Sequence, residues 1–216
     1  KDKGIAINSV KCKMTISGNT IKKCKAYPIY CNPASTSYAI TLKKNIITGN
    51  SKKIDGIRAD SGKLILSSNT ISSCSRAIIL SSTVKGTVYP NTFKKNTYNN
   101  VKVNSSYVNT LTVKSLSGKS KSAKTATLNW KKLSSASGYV VYRSASKNGS
   151  YTKISTIKKN KTITYKDSKL KRKSTYYYKI VPYTTIGKTT VYGLDSINGF
   201  CDQFFLEQLH FLLHVV

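Results

Sequence analysis

The chain has 216 residues, of which 39% are hydrophobic and 10% aromatic; this is enough apolar mass for one large or two small packed domains, and it excludes a disordered chain. Its 37 Lys+Arg stand against 7 Asp+Glu, a net charge of +30, yet only Arg58, Arg76, Arg143 and Arg172 are arginines. Lysines scattered along the chain as far as Lys188 are mobile point charges, which suits general attraction to a polyanion and argues against specific nucleic-acid readout.

Thr, Ser, Tyr, Ile and Val dominate, which predicts an all-β chain with at most one helix, at the C-terminal end. Five cysteines, Cys12, Cys24, Cys31, Cys74 and Cys201, form no CxxC pair, and their odd number argues against a disulfide framework. No run is long and apolar enough to span a membrane. Lys1 already lies inside a repeat, so an upstream portion of the protein is expected.

The repeat comes first. Asn, any residue, Ile or Phe, two residues, then Cys or Asn recurs from Asn19 to Cys24, Asn45 to Asn50, Asn69 to Cys74 and Asn91 to Asn96, with starts 26, 24 and 22 residues apart. A small or turn residue followed by an alternating apolar pair precedes each copy, at Gly4-Ile5, Pro28-Ile29, Gly56-Ile57 and Ala77-Ile78, and Asn100-Val101 opens a last turn. One coil of this length cannot bury its apolar face alone, whereas stacked coils share a core and pair backbones about 4.8 Å apart. Asn19, Asn45, Asn69 and Asn91 then form an amide ladder at a turn, taking left-handed geometry there, and Ile21, Ile47, Ile71 and Phe93 an inner stack. Cys24 and Cys74 share a ladder position with Asn50 between them; two coil spacings, about 9.6 Å, exceed disulfide reach, so they are expected to be small buried packing residues.

These repeats resemble the right-handed parallel β-helix family, which includes pectate lyases, polygalacturonases and many bacterial surface proteins, over residues 1–110. Aligning Ile5, Ile29, Ile57 and Ile78 puts Ala6, Tyr30, Arg58 and Ile79 in one outward row and Asn8, Asn32, Asp60 and Ser81 in the next. The resemblance implies a cleft along such rows, and Tyr30, Asn32, Arg58 and Asp60 are the candidate ligand-binding set. Arg58 and Asp60 are also the catalytic candidates: a lyase of this family needs a base, often Arg, and a hydrolase needs paired carboxylates. Only Asp55 accompanies Asp60, and the cluster of Asp that would cage a lyase's calcium is missing. The competing reading is a surface ion pair worth about 0–1 kcal/mol.

Residues 111–197 begin with the Ser/Lys/Gly-rich stretch 115–122 and continue as short strands separated by turns. Trp130 on the second strand, the run Gly138-Tyr139-Val140-Val141-Tyr142-Arg143, and Leu170 six residues before Tyr176 resemble a bacterial fibronectin type III domain. The resemblance implies core roles for Trp130 and Tyr176, the latter as a tyrosine corner whose hydroxyl bonds upstream backbone. Tyr177 and Tyr183 are candidate outward rings for stacking on sugars.

Residues 198–216 break the pattern: no Lys or Arg follows Lys188, and four of five phenylalanines and both histidines lie in this segment. It reads as an atypical apolar tail that puts the last sandwich strand in doubt. His210 and His214, four apart, with Cys201 as a further donor, lack a third ligand in register, so no metal or cofactor is expected. The sequence thus predicts an extracellular or cell-surface region of a secreted bacterial protein: a non-catalytic binding or spacer element for anionic wall polymers or acidic polysaccharide. The alternative is the C-terminal part of a polysaccharide lyase or glycoside hydrolase whose catalytic coils lie mostly upstream.

Overall fold

The computed structural model describes residues 4–8, 12–33, 35–50, 53–122, 124–172, 174–196 and 200–203. All are strand or connection, and no helix occurs among them. The chain forms two compact units: Lys1–Thr112 with Ser135–Ser137 and Pro182–Leu194, and Val113–Ser134 with Gly138–Val181 and Asp195–Val216. This division differs from a boundary at residue 110, because residues 182–194 join the first unit.

The first unit is a parallel β-solenoid with three sheets. One contains Ile5–Asn8, Ile29–Asn32, Ile57–Ala59, Arg76–Leu80 and Tyr98–Val103. The second contains Met14–Ser17, Ala39–Lys43, Lys63–Ser67 and Lys85–Val88, and the third Thr20–Ile21, Ile46–Thr48, Thr70–Ser72 and Thr92–Lys94. Each sheet stacks equivalent side chains. Ile5, Ile29, Ile57, Ile78 and Val101 are in register, as are Ile21, Ile47, Ile71 and Phe93. Ile29, Ile47, Ile57, Ile71 and Ile78 are fully buried, so the alternation in each short strand becomes one continuous core.

The asparagine ladder holds the bend between the second and third sheets. Asn69 donates through Nδ2 to Asn91 Oδ1 and to the Leu42 carbonyl, both at 2.9 Å. Its Oδ1 accepts from Asn45 N and Asn45 Nδ2, both at 3.0 Å. A side chain with two donors and two acceptor sites is thereby filled. The left-handed geometry expected of these asparagines falls instead on the residue before each: Gly18, Lys44 and Ser68 have φ of 72°, 54° and 55°. The bend needs one reversed residue, and placing it just before the asparagine leaves the amide aimed along the stack. Pro90, whose ring forbids positive φ, fills that position in the last coil.

Of the two cysteines expected to be buried, Cys74 is fully buried and Cys24 only half-buried; Asn50, between them, is exposed. Gly49 accounts for part of this. A Cβ there would stand 2.9 Å from Cys74 Sγ, so the coil passes the thiol with bare backbone. Cys12, Cys24, Cys31 and Cys74 are all free.

The last turn is not completed as a coil. After Tyr98–Val103 the chain reverses at Asn104, φ 52°, and Ser106–Val108 returns antiparallel. The next position in the second sheet is filled from far along the chain: Thr189–Tyr192 pairs parallel with Lys85–Val88, Thr87 opposite Thr190 and Val88 opposite Val191. Thr189, fully buried, donates its hydroxyl to the Val84 carbonyl at 3.0 Å.

The second unit has antiparallel strands of fibronectin type III character. Leu116–Ser122, Thr125–Trp130 and Thr164–Asp167 form one sheet. Thr152–Ile157, Gly138–Ser144 and the Thr175–Val181 part of Thr175–Ile186 belong to another. Trp130 is buried edge-on to Tyr139, with ring centroids 5.3 Å apart. Phe200–Gln203, at the start of the segment read as an atypical tail, pairs with Thr175–Tyr178 as a strand. His210 and His214 lie outside the described residues.

Candidate functional site

The outward face of the first solenoid sheet carries the candidate residues. Because successive side chains alternate across a strand, the register that buries Ile29, Ile57, Ile78 and Val101 turns their neighbours outward. Across adjacent strands that row runs Ala6, Tyr30, Arg58, Ile79, Lys102 and Tyr107.

Three of the four predicted ligand-binding residues meet directly. Tyr30 donates its hydroxyl to Asp60 Oδ2 at 2.8 Å, and Arg58 Nε donates to Asp60 Oδ1 at 3.1 Å. Asn32 sits alongside and accepts from Ser61 Oγ at 2.7 Å. Tyr27, not singled out from sequence, completes the group: its hydroxyl accepts from Arg58 Nη1 at 3.2 Å, its ring lies 5.2 Å from the guanidinium, and it stacks on Tyr30 at 5.9 Å. Beyond Ile79 lies Lys102, its ammonium 5.5 Å from the Tyr107 ring centroid, and Arg76 lies 5.3 Å from that of Tyr98. Lys102 was legible as the next outward position after Val101. Tyr107 was not, since it arrives on the returning strand.

The electrostatics fix these groups in place. Desolvation lowers the Arg58 pKa, but the hydrogen bond and charge of Asp60, then Tyr27, outweigh it and raise the pKa above the usual value. Such a guanidinium is a permanent cation and is poorly suited to act as a base. The Tyr30 pKa is raised, first by its bond to Asp60 and then by burial. Asp55, nearly buried 3.8 Å from Arg76, has its pKa raised by desolvation against the opposing charges of Arg76, Arg58 and Lys102. Arg76, Arg58 and Lys102 thus all act electrostatically on Asp55, and Arg58 and Arg76 are themselves paired with Asp60 and Asp55. The Arg58–Asp60 pair is about a third exposed at both ends, so it orients side chains and adds little stability.

In the second unit, polar groups serve the core. Tyr176 accepts from the Lys171 N–H at 3.2 Å, as a tyrosine corner does, but its ring is half-buried under Arg143 at 5.1 Å. The fully buried tyrosine of that strand is Tyr178, which donates to Asp167 Oδ2 at 3.0 Å; Arg143 pairs with the same oxygen at 2.9 Å. Tyr183, a candidate sugar platform that belongs to the first unit, tilts against Tyr192 at 5.8 Å, and Tyr192 stacks on Tyr89 at 5.1 Å. Tyr177 is half-buried. Beside Tyr89 and Tyr192, a small, open apolar hollow is lined by Val88, Phe93, Val101 and Leu111.

Comparison with known proteins gives one family match. The family described as NosD, periplasmic copper-binding protein, matches residues 1–124. A search of curated proteins gives no match. Among solved structures, a Fn3-like protein from Clostridium thermocellum is similar at 31% identity over 39% of this chain and 83% of its own, TM-score 0.34. The sixth fibronectin type III domain of human fibronectin type III domain containing protein 3 is similar at 18% identity over 45% and 87%, TM-score 0.37.

The residues described here do not fit a copper centre. Copper(I) takes thiolate or thioether donors. Burial pushes the thiols of Cys31 and Cys74 up to about 12 and about 11, which disfavours the thiolate form that would bind the metal. Among the described residues, no three His, Cys, Asp or Glu side chains come together. No helix among them is long and apolar enough to cross a membrane.

Proposed function

Through residues 1–124 the chain belongs to the NosD family, and from that premise we propose that it is an extracytoplasmic, non-catalytic binding module for an anionic wall polymer or acidic polysaccharide. A periplasmic family description suits a protein that meets envelope or extracellular polymers. The observation that carries the reading is the outward row of the first sheet, where Arg58 and Lys102 stand between Tyr30 and Tyr107 with Arg76 near them. Fixed cations supply charge complementarity, and tyrosine rings supply flat apolar surface. Arg58 is an anchored cation and Asp60 accepts from both Arg58 and Tyr30, so the face is organised to hold a polymer and not to transfer protons.

The test is a titration with polygalacturonate and with a neutral glucan at two salt concentrations, with ultraviolet absorbance followed for unsaturated sugar products. Salt-sensitive binding to the acidic polymer alone, with flat absorbance, is expected. Rising absorbance that vanishes in Arg58→Ala would make the chain part of a lyase. Binding to neither polymer, nor to a uronan of another linkage, would leave only a spacer.

A further inference from the structure

We infer that the polymer is a uronan whose sugars are joined through equatorial bonds at both C1 and C4, lying across the strands along the row from Tyr30 to Tyr107. The inference rests on the acidic-polysaccharide reading and narrows it by spacing. Tyr30, Arg58, Ile79, Lys102 and Tyr107 occupy five adjacent strands, each step about 4.8 Å. Arg58 and Lys102 are therefore two steps apart, about 9.6 Å at the backbone, with an uncharged aliphatic position between them.

The cations are held. Arg58 is bonded to Asp60 and Tyr27, and Lys102 lies over Tyr107. A matching ligand presents negative charge at every second unit along a straight line, with apolar surface at the unit between. A diequatorially linked pyranose chain does this. Each ring is turned over relative to the last, so the chain is a flat ribbon of two-fold character. A carboxylate at C5 then returns to the same edge at every second sugar, and the ring faces expose C–H bonds. With one sugar per strand step, carboxylates meet Arg58 and Lys102, the ring between lies on half-buried Ile79, and flanking rings lie on Tyr30 and Tyr107. A diaxially linked chain such as polygalacturonate is buckled and coiled, and its carboxylates do not recur in line at this interval.

The experiment compares β-1,4-linked polyglucuronate with polygalacturonate, at equal length and charge and one low ionic strength, by calorimetric titration. Lys102→Gln and Tyr107→Ala test the row, and Lys153→Gln, exposed in the second unit, is the control. Polyglucuronate is expected to bind at least tenfold more tightly than polygalacturonate, with the preference falling to near unity in Lys102→Gln, weakening in Tyr107→Ala and persisting in Lys153→Gln. Equal affinity for the two uronans overturns the linkage inference and leaves the acidic-polymer reading standing. A preference that survives in both Lys102→Gln and Tyr107→Ala overturns the placement on this row. Binding to neither uronan overturns the inference and the broader reading together.

Discussion

Asn69 shows how a single side chain governs a solenoid. It has no exposed surface, and its side chain makes four hydrogen bonds to residues of the two neighbouring coils. Asn69→Ala strands the Asn45 N–H and the Leu42 carbonyl inside the protein, where a buried group without a partner costs about 1–3 kcal/mol. Loss of about 3 kcal/mol is therefore expected, read as a lower urea midpoint. Asp55 gives a prediction of opposite sign at neutral pH. Burial raises its folded pKa above that of the unfolded chain. Its contribution is then fully present below the ordinary carboxylate value, about 3.9, and is lost as pH rises through the raised folded value. Asp55→Asn keeps an acceptor for the backbone of Arg76 but removes the titration. The variant should gain stability relative to wild type between pH 4 and pH 7, measured by denaturant unfolding across that range. Thiol labelling separates the cysteines. Cys12 is exposed and is expected to react in the folded protein, while Cys31 and Cys74 react only on unfolding.

At the scale of elements, what could be read from sequence follows from what repeats. The register of Ile5, Ile29, Ile57 and Ile78, the asparagine ladder, and the meeting of Tyr30, Arg58 and Asp60 were all legible, because a stacked coil places residues of equal phase next to one another. The reversed residues were not, since Lys44 and Ser68 carry no glycine-like signal. Nor was the pairing of Thr189–Tyr192 with Lys85–Val88, since these segments share no repeat and lie about a hundred residues apart. Tyr178 was missed because Thr175-Tyr176-Tyr177-Tyr178 offers three adjacent rings, and only packing selects the one that reaches Asp167. The late strand also yields a prediction. A Cβ at Gly86 would stand 2.8 Å from Thr189 Oγ1. Gly86→Val should therefore loosen Thr189–Tyr192 while leaving Thr70–Ser72 protected, a difference that hydrogen exchange reads directly.

For the whole molecule, a net charge of +30 spread over two units predicts two kinds of attraction. Scattered lysines draw any polyanion at low salt, and this component disappears when the screening length shrinks to about 3 Å near 1 M. Lys153→Gln should therefore weaken uronan binding slightly at low salt and not at all near 1 M, while Lys102→Gln weakens it at both. The strand Thr189–Tyr192 has a consequence of another kind. A stack of parallel coils has no intrinsic length, and the open backbone of Lys85–Val88 would template another strand from any neighbouring chain. Residues from late in the same polypeptide already sit there. Val191→Pro, which lacks the N–H and cannot hold a ladder position, should free that edge and turn a protein of fixed length into one that grows end to end, seen as light scattering that rises with concentration.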